Sequence, residues 1–515
     1  MNYRFFHSWV PQKLDMWLLL FLSIMLALNS GIPSTVNPYI VGARGFMPAD
    51  VAMAGFAYFC GMSCVFPLSL RITHYTAPKG VLCTVIPIVI LLNYVLSVTD
   101  IPFILVMVSW MIGFLKMVAT LRVVISLWPI WMPKGERFQL YSFYYPLALI
   151  LGPLAGLFAV YLAQMWSWEI SIHAQNIFLF IGLLIILFLA SPEHKARKVP
   201  LYQYDWFGTA IYSITMLLVC YVLTYGLTED WYNSHSIQVA SIGILLFGCA
   251  FIKHCLTIKR PLVNLRFIRY WKPMLGIFIF LLLGFFSNTN ILFDPFMEII
   301  HHNDSFYNAQ VYCYAIPGTV VGALFSYIYY RKYTGVKIPL IIASLCFLIT
   351  AAILYSLIGI DTAGSLLFMP LFFRSVGTIV TFIAVGVYIT NNTPAKYMND
   401  VISAIIMVRS FLSPLLVTTI YSNLIYRGSV GKVNMLAGEI DGLNPFLADR
   451  GDLFQSVKTQ ALLLSLKDLY GGIVLLAIVV LLFVILFPFQ GSHKRAVLNW
   501  RNPKTNKELA GSIIA

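Results

Sequence analysis

The chain has 515 residues, of which 60% are hydrophobic and only 10% are charged, and its mean hydropathy is +0.83. Soluble domains contain about 25% charged residues, so this composition excludes a soluble globular protein and indicates an integral membrane protein. The formal net charge of +14 would suggest nucleic acid in a soluble protein, but basic residues collect in the cytoplasmic loops of membrane proteins, and no nucleic-acid partner is expected.

Fourteen apolar runs of membrane-spanning length follow one another along the chain. The first is no signal peptide, because the apolar run from Met16 continues past Leu28 and is long enough to cross a bilayer. We therefore expect an all-α polytopic membrane protein with about 14 transmembrane helices, which we number spans 1 to 14. These spans are predicted to begin near residues 16, 51, 81, 102, 139, 174, 206, 236, 273, 308, 338, 364, 398 and 468.

Basic residues indicate how the spans are oriented. An even number of spans puts both termini on one side, and the connecting segments on that side hold most lysines and arginines, including the cluster from Lys253 to Lys272. The positive-inside rule then predicts that both termini are cytoplasmic. On the other side, a long outer loop is predicted near residues 427–466, either as a plain connector or as a short amphipathic element or docking surface.

Span 5 contains a Gly-Pro pair within an apolar run, Gly152-Pro153-Leu154-Ala155-Gly156. Proline removes a backbone hydrogen bond, and membrane helices accept it where the helix bends or where a neighbour packs closely. Gly152 and Gly156 are four residues apart and form a small-xxx-small face around Pro153. The pattern predicts a closely packed, bending helix in a bundle that moves.

Few charges remain within the spans, and such charges usually face a cavity or a partner. Arg122 lies near the inner end of span 4 and is expected to extend to the membrane surface. Lys116 lies near the middle of span 4. Arg374 of span 12 and Arg409 of span 13 are expected to be either buried hydrogen-bond anchors or substrate contacts. Asp294 in span 9, with Glu298 one turn later, either binds a proton or cation or neutralises a base.

Catalysis, metals and ATP hydrolysis are not indicated. His301 and His302 lie in a predicted outer loop without the further clusters that a membrane di-iron enzyme needs, and the eight cysteines suggest buried apolar packing rather than a zinc site. The sequence has no GxxxxGK[ST] motif. We expect no cofactor, no metal and no enzymatic activity.

Several motifs resemble, in order and spacing, the fourteen-span drug:proton antiporter family of the major facilitator superfamily, the group of multidrug-resistance protein B. Leu149 to Gly156 is similar to the antiporter motif of span 5, although Leu157 replaces its last glycine. The runs that match further motifs are Pro133 to Arg137, Asp205-Trp206-Phe207-Gly208, Pro261 to Leu265, Ala309 to Gly318, Arg374 to Gly377, and Ser403 to Arg409.

The resemblance implies a major facilitator fold of 6+2+6 helices that works by rocking its two bundles around a central cavity. The implied domains are a first six-helix bundle at 1–190, two linking helices at 191–272, a second bundle at 273–491 and a basic tail at 492–515. Spans 4 and 12 are then repeat mates, which makes Lys116 and Arg374 rough counterparts facing the cavity.

Two departures from the family pattern affect coupling. The acid expected in span 1 is Asn29, and His74 stands where the loop after span 2 usually has Asp. An asparagine does not titrate near neutral pH, so proton coupling would have to use Asp294, Glu298 or His74.

We expect a secondary active transporter that exports amphiphilic or hydrophobic small molecules, with proton antiport as the expected driving force. Lys116, Arg374 and Arg409 would meet the substrate, with Trp110, Phe114 and Tyr144 as apolar or aromatic contacts. A periplasmic adaptor and an outer-membrane channel are candidate partners. An uptake symporter or uncoupled facilitator for an anionic molecule is the alternative, and a membrane-embedded enzyme is a further one.

Overall fold

The computed structural model describes residues 5–29, 31–68, 77–131, 136–192, 204–300, 304–359, 362–439, 453–489 and 493–494. Within these ranges, thirteen helices are long and apolar enough to cross a membrane. The helix Gln12–Leu28, with 17 residues, reaches the lower limit of spanning length and brings the number to fourteen. The prediction of an all-α polytopic protein with about 14 spans is confirmed.

Spans 1 to 6 share one large cluster of buried apolar side chains. Span 1 is interrupted, because Gly31 adopts a positive φ of 69° and Pro33 has no amide hydrogen to continue the helix. Beyond this break, Arg44 pairs with Asp100 at 2.6 Å and Glu169 at 3.3 Å, which joins the ends of spans 1, 3 and 6. The helices of this half are Gln12–Leu28 with Asn37–Arg44, Pro48–Val65, Pro78–Val98, Pro102–Trp131, Arg137–Met165 and Trp168–Leu189.

Spans 7 (Trp206–Tyr225) and 8 (His235–Thr257) form a pair beside this half. Span 7 packs against span 2, where the Tyr225 hydroxyl donates a hydrogen bond to Asp50. The Leu223 carbonyl of span 7 accepts a hydrogen bond from Thr419 of span 13. Span 8 packs mainly on span 7 and leaves most of its other residues exposed, so it faces lipid. Asp205 ties the two helices together by capping span 7 and bonding His254 at 2.7 Å.

Spans 9 to 14 form the second large buried cluster. Three of these spans are irregular: span 9 breaks at Asn288 and Thr289, span 10 at Cys313 and Tyr314, and span 13 contains the π-helical turn Val408–Leu412. The helices of this half are Trp271–Ser287 with Asn290–Ile300, Ser305–Tyr312 with Ala315–Lys332, Lys337–Leu357, Phe368–Asn391, Met398–Met407 with Ser413–Glu439, and Leu453–Leu486.

Part of the predicted outer loop near 427–466 is helical in the residues that the structure describes there. Residues 427–439 continue the helix of span 13, and span 14 begins at Leu453 rather than near 468. Gly428 lets the two helices touch, since a Cβ there would lie 2.3 Å from the Ser465 hydroxyl, and Lys432 pairs with Asp468 at 2.8 Å. These contacts prolong both helices beyond their apolar segments; residues 440–452 lie outside the described residues.

Two short strands pair antiparallel at the end of the bundle where span 1 begins, which we call the N-terminal face. They are Tyr333–Thr334, between spans 10 and 11, and His493–Lys494 of the predicted basic tail. The rest of the tail, residues 495–515, lies outside the described residues. The proposed division at 190, 272 and 491 stays a prediction.

Candidate functional site

The first polar cluster lies at the break in span 1. Lys116 of span 4 is 7% exposed and donates a hydrogen bond to the Tyr58 hydroxyl of span 2 at 2.5 Å. Tyr58 in turn donates to the Asn29 carbonyl at 3.0 Å, which the break leaves without a helical partner. We call Lys116, Tyr58 and Asn29 the first node.

Uncharged amides extend the first node away from Lys116. Asn93 of span 3 donates to the Asn29 side-chain oxygen at 3.5 Å and to the Asn176 side-chain oxygen at 2.8 Å. Lys116 forms no ion pair with any residue that the structure describes. Its hydrogen-bond partner among the described residues is the Tyr58 hydroxyl.

Glycines bring the helices of the first node into backbone contact. A Cβ on Gly113 of span 4 would lie 2.0 Å from the Tyr58 carbonyl oxygen, and a Cβ on Gly61 of span 2 would lie 2.1 Å from the Trp110 carbonyl oxygen. The side chains of Trp110 and Phe114, with ring centroids 5.6 Å apart, pack against the apolar core of the first half. These two predicted substrate contacts are thus placed beside the node and partly within the core.

The second polar cluster lies at the break in span 9. Arg374 of span 12 is 8% exposed, and its Nη1 donates to the Thr289 hydroxyl at 3.1 Å. The Tyr312 hydroxyl of span 10 donates to the Asp294 carboxylate, and Asp294 lies within electrostatic range of Arg374. We call Arg374, Thr289, Asp294 and Tyr312 the second node.

The side chains of both acids near the second node lie at the surface of the bundle. Asp294 and Glu298, four residues apart on one helix face, are exposed although the surrounding helix buries Phe293, Phe296 and Met297. A carboxylate that accepts a hydrogen bond from a hydroxyl and lies near a guanidinium is able to gain and lose a proton. His74, the third predicted coupling residue, lies outside the described residues.

The third polar feature is Arg409, which lies between the halves. Its guanidinium is 4.4 Å from the Tyr145 ring centroid of span 5 and 5.0 Å from that of Phe382 of span 12. Tyr144 lies within electrostatic range of both Arg409 and Tyr58, so it stands between Arg409 and the first node. Among the described residues, the buried Nη1 of Arg409 has no hydrogen-bond partner.

In the Gly-Pro motif of span 5, one glycine packs against a neighbouring helix and the other is exposed. Gly156 packs against Thr35 of the broken span 1, whose hydroxyl donates to the Gly156 carbonyl at 3.2 Å. Pro153 approaches the break in span 10, where its carbonyl oxygen is 4.0 Å from the Cys313 Sγ. Gly152 is exposed, and a Cβ there would meet nothing within 4 Å, so it does not form the packing face expected with Gly156.

The halves also touch at both ends of span 5. On the N-terminal face, Arg137 Nη1 donates to the Thr390 carbonyl at 3.1 Å and lies 3.2 Å from the Met398 sulfur. On the opposite face, the rings of Tyr161 and Phe306 are 6.1 Å apart. Two separate sets of contacts, one on each face, are what a bundle needs if it opens to one side at a time.

Arg122 corrects the expectation for the inner end of span 4. It is 4% exposed rather than extended to the membrane surface, so the helix end is covered by neighbouring spans. Within the described part of the chain, no three His, Cys, Asp or Glu side chains form a group that could hold a metal ion. His301 and His302 lie outside the described residues.

The sequence did not indicate the partners of the predicted charges. Tyr58, Thr289 and Tyr312 were missed because a tyrosine or threonine in a membrane helix has no distinctive pattern, and Thr289 lies 85 positions before Arg374. The recurring signal that could have found two of them is a break in a first span of each half, with asparagine at the end of both Gln12–Leu28 and Trp271–Ser287.

Comparisons with known proteins agree with this architecture. The sequence profile described as Major Facilitator Superfamily matches residues 19–417. A POT family transporter in complex with 5-aminolevulinic acid has a TM-score of 0.59 at 12% identity, covering 93% of this chain and 98% of that chain. The nucleoside transporter NupG has a TM-score of 0.53 at 13% identity, covering 92% and 100%.

A bacterial homolog of the human lysosomal transporter Spinster, in an inward-facing and unoccupied conformation, has a TM-score of 0.53 at 12% identity, covering 93% of this chain and 97% of that chain. At such identities a structural likeness shows the fold alone. No curated protein matches the chain.

Proposed function

Because the chain belongs to the major facilitator superfamily and has its fold, we propose that this secondary transporter exports amphiphilic or hydrophobic small molecules by alternating access, driven by proton antiport. The finer resemblance to fourteen-span drug:proton antiporters, the bacterial inner membrane and the cytoplasmic termini belong to the same proposal. A periplasmic adaptor and an outer-membrane channel are proposed partners that would extend the export route.

The second node carries the coupling part of the proposal. Asp294 accepts a hydrogen bond from Tyr312 and lies near Arg374, which is bonded to Thr289 at the span 9 break. Protonation of Asp294 removes the negative charge that attracts Arg374. It thereby weakens the interaction of Arg374 with the part of span 9 that follows the break. Proton binding would thereby favour one arrangement of span 9 over the other.

Alternating access would use the two sets of contacts between the halves. Opening to the N-terminal face breaks the Arg137 hydrogen bond to Thr390, and opening to the opposite face separates Tyr161 from Phe306. The breaks in spans 1, 9 and 10 let the outer parts of these helices move without bending the rest. Substrate would bind between the nodes, where Tyr144, Tyr145 and Arg409 lie.

A reconstituted transport assay tests this function. Purified full-length protein in liposomes is expected to accumulate a lipophilic dye or a bile-salt probe when a pH gradient is imposed. Equal flux after the gradient is collapsed with a protonophore would contradict proton antiport. Liposomes with no protein-dependent flux of either probe would contradict export of amphiphiles.

An uncoupled facilitator or uptake symporter for an anionic molecule is the second candidate. The observation that favours it is the first node, where amides of Asn29, Asn93 and Asn176 surround the break that carries an acid in the antiporter family. In the same assay, a facilitator equilibrates the probe across the membrane and does not concentrate it at any imposed pH gradient.

A further inference from the structure

We infer that the transported molecule carries an anionic group and that Arg409, which contacts Tyr145 of span 5 and Phe382 of span 12, receives it. This inference rests on the proposed function and names the substrate class of the same central site. The partner chemistry is a carboxylate, sulfonate or phosphate on an apolar body.

Two aromatic rings lie against the Arg409 guanidinium, one from each half of the bundle. Ring contacts do not satisfy the N–H groups of a guanidinium, which need hydrogen-bond acceptors. The rings of Tyr145 and Phe382 lie 4.4 and 5.0 Å from the guanidinium carbon, and Nη1 is buried without a hydrogen-bond partner among the described residues. An anionic group on a bound molecule would supply the acceptor that this donor lacks among the described residues.

The charges around the site also require an anion. Lys116 and Arg409 are each without an ion pair among the described residues, and Tyr144 lies within electrostatic range of Arg409 and of Tyr58 in the first node. An unpaired guanidinium in a membrane interior repels a cationic ligand and attracts an anionic one, and a protonated Lys116 adds to this preference.

Arg374 is not available for this role, in contrast to the sequence expectation. Its Nη1 is bonded to Thr289, and the nearby carboxylate of Asp294 offsets its charge. Among the three basic residues expected to meet substrate, Arg409 therefore combines an unpartnered donor with aromatic surfaces for an apolar body.

A local change of helix type presents Arg409 to the site. The π-helical turn Val408–Leu412 adds a residue to one turn of span 13, and such turns frequently occur at functional sites. Immediately after it, Ser413 lies against Gly284, where a Cβ would meet the Ser413 hydroxyl at 1.8 Å, and Asn288 donates to this hydroxyl at 3.4 Å. The turn is thus anchored to the break in span 9, which links the Arg409 site to the second node.

Binding of two dyes with the same three-ring body tests the inference. Full-length protein in nanodiscs of zwitterionic phosphatidylcholine is titrated with fluorescein, which is anionic, and with rhodamine 123, which is cationic, and anisotropy is recorded. We expect tighter binding of fluorescein, and we expect Arg409→Gln to weaken fluorescein binding about 10- to 100-fold while rhodamine binding is unchanged or improved.

Matched variants separate recognition from folding. Arg427→Gln removes an exposed arginine from the same span and is expected to leave both affinities unchanged. Arg409→Lys keeps the charge without the planar fork and is expected to retain part of the preference for fluorescein. Equal losses for both dyes in Arg409→Gln, or a wild type that prefers rhodamine, would overturn the inference.

Two further measurements separate a transported anion from a lipid headgroup, and a failure of the anion requirement from a failure of the proposed transport. If anionic phosphatidylglycerol in the nanodisc displaces fluorescein, the site holds a lipid headgroup, and the inference of a transported anion is wrong. If liposomes accumulate neutral and cationic dyes as well as anionic ones, the proposed transport stands and the anion requirement fails. If no dye accumulates, both fail.

Discussion

The two halves of the bundle place a basic residue of their fourth span beside the broken end of their first. In the first half Lys116 reaches the break at Asn29 through Tyr58, and in the second half Arg374 reaches the break at Thr289 directly. The surroundings differ: the described neighbours of Lys116 are hydroxyls and amides, whereas Arg374 lies near the carboxylate of Asp294.

This difference suggests that the halves divide the work. The amides of the first node do not titrate near neutral pH, and Lys116 has no acid among its described hydrogen-bond partners, which suits an anionic substrate. The second half contains a cation and an acid whose interaction depends on protonation. Substrate recognition would therefore use Lys116 and Arg409, and coupling would use Asp294.

The largest expected effect comes from a feature that the halves share. Gly113 of span 4 touches the Tyr58 carbonyl, and Gly318 of span 10 touches the Phe372 carbonyl of span 12, with Cβ distances of 2.0 and 2.3 Å. Because backbone must move, Gly113→Ala and Gly318→Ala should each lower stability by about 3 kcal/mol, measured by thermal unfolding in detergent. Gly55→Ala, with open space around it, is the control that should not destabilise.

If only one of the two alanine variants loses stability, the two helix crossings are not equivalent, and the structural comparison of the halves is weakened.

The next effect exposes the difference between the two cations. Arg374→Met removes the hydrogen bond to Thr289 and leaves Asp294 without its nearby cation, so it should cost about 1.5–3 kcal/mol. Lys116→Met removes a buried charge that has no acid partner among the described residues, and Tyr58 still bonds Asn29, so the melting temperature should stay the same or rise. If Lys116→Met lowers stability as much as Arg374→Met does, the claim that Lys116 lacks an acidic partner is contradicted.

The smallest effect concerns the amides of the first half. Asn93→Leu removes hydrogen bonds to Asn29 and Asn176 and should cost about 1 kcal/mol, because a neutral buried hydrogen bond contributes about that much. The ratio of gradient-driven to gradient-free flux should not change, since amides do not titrate. A changed ratio would assign a coupling role to the first half.

The sequence predicted the number of spans and the residues that carry charge, because both depend on local composition. Lys116, Asp294, Arg374 and Arg409 stand out as charges within apolar runs, and each lies within or beside a polar feature between helices. Which of them interact could not be predicted, since the pairing of Arg374 with Thr289 depends on the packing of distant spans.

Helix irregularities were predicted least well. The π-helical turn at Arg409 has no composition signal, and the break in span 9 occurs at Asn288 and Thr289 without a proline. Residues 427–439 and 453–466 look like loop because they contain glycine and polar residues, but Gly428 is a contact point between helices. Pro153 approaches the Cys313 Sγ through its carbonyl oxygen, whereas its neighbour Gly152 faces open space.

The division of work between the halves is tested most directly by comparing Asp294→Asn with Lys116→Met in the same liposomes. Accumulation of a bile-salt probe under a pH gradient and exchange of the probe without a gradient are both recorded. The account predicts that Asp294→Asn loses gradient-driven accumulation and keeps exchange, whereas Lys116→Met loses most of both. Accumulation that persists in Asp294→Asn, or equal loss of exchange in the two variants, would contradict it.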